Sequence, residues 1–142
     1  LFFLSSFSFI ENNINTVYTL KERINIMDIK RYQQKIDSFV KDRNWDKFHS
    51  PKNLTMALSG EVGELSDILQ WLTEEESMKE NLNEKILSLV KEELADIFIY
   101  LIRIADKLDI NIEEEVKNKI KLNEEKYPIH LSKNNATKYN RR

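Results

Sequence analysis

From Met27 onward, apolar residues recur every three or four positions along four stretches, and each stretch predicts a helix with one face in a core. The first, about residues 28–43, puts Ile29, Tyr32, Ile36, Phe39 and Val40 on one side, and an aromatic-rich connection, RNWDKFH, follows it. SPKN restarts the chain: Ser50 suits an N-cap and Pro51 the first helical position. This second helix carries Leu54, Leu58, Val62, Leu65, Leu69 and Leu72 and runs into the acidic stretch TEEESMKEN. The third, about 82–108, is the longest and most apolar, with Ile86, Val90, Leu94, Ile97, Leu101, Ile104 and Leu108. Asn111 followed by Glu114 reads as a capping box for a fourth helix, which continues to about Lys126 and is stopped by Pro128. No strand-like alternation and no internal repeat occur, so the expected fold is an all-α four-helix bundle.

Residues 1–26 follow a different pattern, rich in Phe and Ser and without a helical period. Their apolar start is too short for a membrane span and lacks the basic segment of a secretory signal. The expectation is an extension that does not belong to the working protein, which then starts at Met27. A domain over 27–130, a flexible basic tail over 131–142 and a cytoplasmic location complete that reading.

Composition narrows the chemistry. The 142 residues are 41% hydrophobic and 32% charged with only two Gly and two Pro, a balance that favours helices. A formal charge of −2 gives no bias toward nucleic acid or an anionic membrane, and neither is expected as a partner. The absence of Cys excludes disulfides and thiolate metal sites, and His49 and His130 are the only imidazoles. A metal would therefore be held mainly by oxygen, which favours magnesium, manganese or calcium.

Projected at 100° per residue, Glu61 falls inside the apolar stripe of the second helix, between Ile68 at roughly −20° and Leu72 at roughly +20°. Glu64 lies at the margin, at roughly −60°. On the third helix Glu93 falls between Tyr100 and Ile104 in the same way, and Asp96 lies at roughly −60° from it. Two helices thus carry one acid in the stripe and another at its edge. A Lys or Arg from a neighbouring helix could pair each acid, or the edge could simply be wet. Few basic positions share those stripes, however, and four converging carboxylates repel one another unless a cation joins them. On the fourth helix Lys119 shares an arc with Ile112, Val116 and Asn123. That pair could grip phosphate oxygens, or the Lys could snorkel.

These residues carry a resemblance. GEVGELSDILQW, EELADIFIYL and KIKLNEEKYP together resemble the all-α MazG-like nucleoside triphosphate pyrophosphohydrolases, their dCTP-pyrophosphatase branch in particular. The likeness spans nearly the whole chain after Met27, and the family's ExxE and ExxD metal motifs land on Glu61, Glu64, Glu93 and Asp96. Many members have a further acid where this chain has Gly60, a departure shared by the dCTP branch. The resemblance implies a magnesium site (manganese as a substitute) and hydrolysis of a nucleoside triphosphate between its α and β phosphates. In that reading Glu64 orients the attacking water, and Lys119, Asn123, Lys126 and Tyr127 contact phosphates. Glu124 and Glu125 stand where close relatives have basic residues. Trp45, His49, Asn53, Trp71 and Tyr100 match positions around the nucleobase, each also able to serve as core or interface filler. A homodimer or homotetramer is implied, with sites that can draw on two chains. A dUTP- or phosphoribosyl-ATP-directed relative and a non-catalytic helical interaction module are the competing readings. A di-iron oxidase is disfavoured because neither His makes a Glu-x-x-His pair.

Overall fold

A computed structural model describes residues 27–141, so the extension expected over residues 1–26 lies outside the described residues. By its internal contacts the chain divides into two units, Leu1–Tyr32 and Gln33–Arg142. The order is α1 (Ile29–Asp42), a 3-10 turn (Asp46–Phe48), α2 (Pro51–Leu69), α3 (Glu84–Lys107), α4 (Ile112–Lys126), a single helical turn α5 (Ile129–Ser132), and a last 3-10 turn (Tyr139–Arg141). No strand occurs among the described residues. The four long helices coincide with the four apolar-periodic stretches to within three residues at each end.

Local chemistry sets those ends. Ser50 Oγ accepts from the Asn53 amide, Asn83 from that of Ile86, and Asn111 from that of Glu114, so each of α2, α3 and α4 begins at a side-chain cap. Stopping falls to other residues, because both glycines lie inside α2. Asn44 (φ 52°) after α1 and Asp109 (φ 51°) after α3 take the left-handed conformation that releases the chain from a helix, the two residue types besides Gly that do so readily. The acidic connection after α2 ties itself off. Glu76 Oε2 accepts from both the amide and the hydroxyl of Thr73, at 2.8 and 2.9 Å, which holds the Glu76 carboxyl below its usual value.

The extensive helix packing among the described elements is α2 against α3. Val40, Leu54, Ile102 and Ala105 form the fully buried core. That core is smaller than the stripes predict. Val62, Leu94, Leu101 and Leu108 remain exposed, and α4 buries none of its residues. Ile102 falls roughly 180° from Glu93 on the α3 circumference, so α3 is apolar on more than one side and one neighbour cannot cover it. Lys119 and Asn123 lie on an α4 face that is open in the single chain. No described helix is long and apolar enough to cross a membrane.

Candidate functional site

Packing α2 on α3 brings the stripe acids together. Glu61, Glu64 and Glu93 each offer a carboxylate oxygen, and the three oxygens lie within 4.8 Å of one another. Glu61 and Glu93 are half-buried, whereas Glu64 and Asp96 are exposed, the same division that the helical projection makes between stripe and margin. Burial, first, and the charges of Glu64 and Asp96 hold the Glu61 carboxyl above its ordinary value. Glu93 is raised likewise, by burial and then by Glu64, Glu61 and Asp96. Among the described residues no cationic side chain pairs with any of the four. Glu93 Oε2 is buried without a hydrogen-bond partner, the one such side-chain atom among the described residues. An orphaned carboxylate oxygen beside two other crowded carboxylates fits a hard divalent cation, which would satisfy the oxygen and remove the repulsion. Glu61, Glu64 and Glu93 would hold it, with Asp96 adding charge at the edge.

Asp96 also borders a cavity of about 390 Å³, lined besides by Lys35, Ile36, Phe39, Val40, Trp45, His49, Ile99, Tyr100 and Arg103. Phe39 and Trp45 meet edge to face with ring centroids 5.9 Å apart, and the Arg43 guanidinium lies 3.6 Å from the Phe39 centroid. Tyr100 is partly buried, and burial, aided by the charges of Glu61 and Asp96, raises its phenol so that it stays a neutral donor. A walled, mostly apolar space of this size with a few polar groups at its edge suits a planar heterocycle.

At the far end of the cavity Arg103 is 3% exposed, the one buried polar or charged residue among the described residues. Its Nη1 donates to Asp106 Oδ2 at 2.7 Å and to Asp37 Oδ1 at 3.4 Å, and its Nη2 donates to Asp46 Oδ1. Its Nε donates to His49 Nδ1 at 3.4 Å. Lys107 Nζ joins Asp46 at 2.6 Å, and Lys41 joins Asp37 at 2.7 Å. Those contacts pull both aspartates below their usual carboxylate range, Lys107 first for Asp46 and Lys41 first for Asp37.

Of the five residues matched to the nucleobase, the structure places Trp45, His49 and Tyr100 in the cavity wall. Asn53 stands outside it, its Nδ2 donating to the Phe48 carbonyl at 3.0 Å, so that it ties α2 to the 3-10 turn. Trp71 is 85% exposed just past the end of α2. Lys119, Asn123, Lys126 and Tyr127 sit on α4 and its C-terminal end, where α4 packs extensively on no other described element. Lys126 Nζ lies 5.3 Å from the Tyr139 ring centroid, and Tyr127 meets Tyr139 edge to face. Arg103 and Phe39 line the cavity beyond the site residues expected from the sequence. Arg103 had a signal, since it continues the run Glu93, Asp96, Tyr100 along one side of α3, at roughly −80° from Glu93.

Fold and site together define an all-helical protein with a carboxylate cluster opening beside an aromatic cavity. The chain belongs to the MazG-like family, whose pattern it matches over residues 56–141. It is 38% identical over 112 residues to dCTP pyrophosphatase 1 of Rattus norvegicus, covering 79% of this chain and 64% of that protein. The corresponding human protein is 36% identical over the same length and coverage. The chain thus spans somewhat less than two thirds of the length of these relatives. A pyrophosphatase structure from Archaeoglobus fulgidus superposes with a TM-score of 0.66 at 39% identity, covering 72% of this chain and 94% of that one.

Proposed function

We propose that the protein hydrolyses a deoxynucleoside triphosphate, dCTP in the first instance, to the monophosphate and pyrophosphate in the presence of magnesium. Its role in that case is control or house-cleaning of the cytoplasmic nucleotide pool. The observation that carries the reading is the position of Asp96, which borders the aromatic cavity and bears electrostatically on Glu61 and Glu93. A base in the cavity would thereby direct its phosphates toward the carboxylates. Glu93 and Arg103 are ten residues apart on α3, roughly 15 Å of helix, which matches the length of an extended nucleotide. The names of the relatives point the same way.

Bound at the carboxylates, magnesium supplies charge neutralisation and Lewis acidity toward the phosphates. Glu61 and Glu93, half-buried, would fix its place together with one oxygen of the exposed Glu64, whose other oxygen would orient the attacking water. Phe39, Trp45 and Tyr100 wall the base and keep water from it. We assign Lys119, Asn123, Lys126 and Tyr127 to the phosphates, and Trp71 to the base, as residues brought by a second copy of the chain. The exposed apolar side chains of α4 and α5 (Val116, Ile120, Ile129 and Leu131) support a homodimer or homotetramer.

The test is a panel of the common nucleoside triphosphates with magnesium, resolving pyrophosphate from orthophosphate. Pyrophosphate and dCMP from dCTP are the expected products. Orthophosphate as first product, or no turnover of any triphosphate, removes the reading; dUTP as best substrate moves the base preference and leaves the chemistry.

A further inference from the structure

The guanidinium of Arg103 is always protonated, so every one of its nitrogens donates and none accepts. Three of its four contacts are to carboxylates, those of Asp37, Asp46 and Asp106. The fourth is to an imidazole nitrogen, His49 Nδ1, at 3.4 Å. A nitrogen that receives a hydrogen bond from Nε–H carries no proton of its own. The remaining imidazole nitrogen, Nε2, meets no protein partner among the described residues, and His49 lines the cavity.

We propose that Arg103 is a positioning residue that holds His49 in its neutral Nε2–H tautomer, so that the cavity meets a nucleobase with a fixed hydrogen-bond donor. The inference rests on the cavity being the base site of the proposed enzyme. Three surroundings act together on the imidazole. Arg103 and Lys107 on α3 oppose a positive charge there, Asp46 on the 3-10 turn favours one, and burial, the largest influence, tips the balance to the neutral ring. The aspartates around Arg103 keep the guanidinium in place: Asp37 comes from α1, Asp46 from the 3-10 turn and Asp106 from α3 itself. The 3-10 turn that carries Asp46 is in turn tied to α2 through the Asn53 hydrogen bond to Phe48. Three elements thus converge on the orientation of one ring.

A donor at this position selects for an acceptor on the base. Cytosine presents two on the edge it uses for pairing, the ring nitrogen N3 and the carbonyl O2. Uracil and thymine carry a proton on N3, so a donor directed there meets a donor. The energetic cost of such a buried mismatch is large enough for roughly tenfold discrimination or more.

The test uses the full chain with His130→Gln, which leaves His49 as its single imidazole. Long-range proton–nitrogen NMR at neutral pH is expected to show Nδ1 unprotonated and Nε2 protonated. An Nδ1–H tautomer, an equal mixture or an imidazolium overturns the proposal. Addition of dCMP is expected to shift the Nε2 proton, and absence of dCMP binding or of that shift overturns the proposal too. Arg103→Lys keeps the positive charge for the three aspartates but lacks the Nε donor. It is expected to lose the single tautomer and to bind dCMP roughly tenfold more weakly, while its melting temperature still rises with magnesium. Unchanged dCMP affinity with the tautomer lost removes the inference, and should the variant fail to fold, the tautomer of the parent chain decides alone. Failure of triphosphate turnover, by contrast, strikes the proposed activity and is read in a separate assay.

Discussion

Glu61 on α2 and Glu93 on α3 face each other across the principal helix contact, with carboxylate oxygens within 4.8 Å and, among the described residues, no cationic side chain paired with either. Glu61 raises the proton affinity of Glu93, burial and the charges of Glu64 and Asp96 raise that of Glu61, and one oxygen of Glu93 is buried without a hydrogen-bond partner. A helix contact purely for stability would have apolar side chains here. The pair costs stability in the metal-free protein and makes sense as half of a cation site.

Neutralising an acid therefore separates function from folding. Glu93→Gln and Asp96→Asn should each reduce magnesium-dependent hydrolysis roughly a hundredfold or more, because charge at the phosphates is no longer matched. In metal-free buffer both variants should melt no lower than the parent chain, since one of several mutually repelling charges is gone. Thermal melts with chelator, run beside a pyrophosphate-release assay, check both halves. Full activity in either variant ends the metal-site reading.

The same acids set a pH dependence. Burial and repulsion raise the carboxyls of Glu61 and Glu93 above the ordinary 4.5, so the folded chain binds their protons more tightly than the unfolded chain does. Their contribution to stability is fully present below that ordinary value and is lost as pH rises through the raised values. Magnesium competes with those protons, so the rise in melting temperature that it produces should grow with pH across that window. In Glu61→Gln this growth should be blunted. Melts with and without magnesium at a series of pH values measure it, and a magnesium shift independent of pH contradicts it.

Base choice resides in the cavity. The ratio of kcat/KM for dCTP over dTTP or dUTP should be at least about tenfold, the cost of one buried donor–donor clash. Trp45→Ala removes a wall common to every base and should raise KM for all nucleotides with little change in their ranking. Steady-state kinetics on four triphosphates, parent and variant side by side, distinguish loss of stacking from loss of selection.

Assembly should depend on the open faces of the C-terminal third. Ile129 is 82% exposed and Val116 50% exposed, an arrangement costly for a free surface and ordinary for an interface. Val116→Asp and Ile129→Asp together should shift the protein toward monomer in light scattering coupled to gel filtration. If α4 supplies the phosphate contacts to another copy, turnover should fall with the oligomer. A parent chain that is monomeric at micromolar concentration overturns the arrangement.

Helix positions, the caps at Ser50 and Asn111 and the helix faces that carry the acids were legible in the sequence because each depends on short-range rules. Ser50 and Asn111 cap their helices through residues three positions on, and a 3.6-residue period alone divides Glu61 and Glu93 from Glu64 and Asp96. The one-turn helix α5 and the two 3-10 turns left no such pattern, being too short for a period to declare itself. The stripes also overstated the core. Val62, Leu94 and Leu101 are apolar at core spacing yet exposed, since periodicity marks a face fit for burial without saying which molecule buries it.

The sequence by itself determined the all-α class, the helix boundaries and which side of each helix carries its acids, because backbone geometry converts spacing directly into direction. Only the tertiary structure decided which faces meet. Arg103 and His49 are 54 residues apart in the chain, and nothing in the spacing of either announces the other. Their pairing, the ring of Asp37, Asp46 and Asp106 around the guanidinium, and the cavity between α1 and α3 come from the packing of elements distant in sequence. That packing answers to the shape and burial of whole surfaces, which no local period encodes.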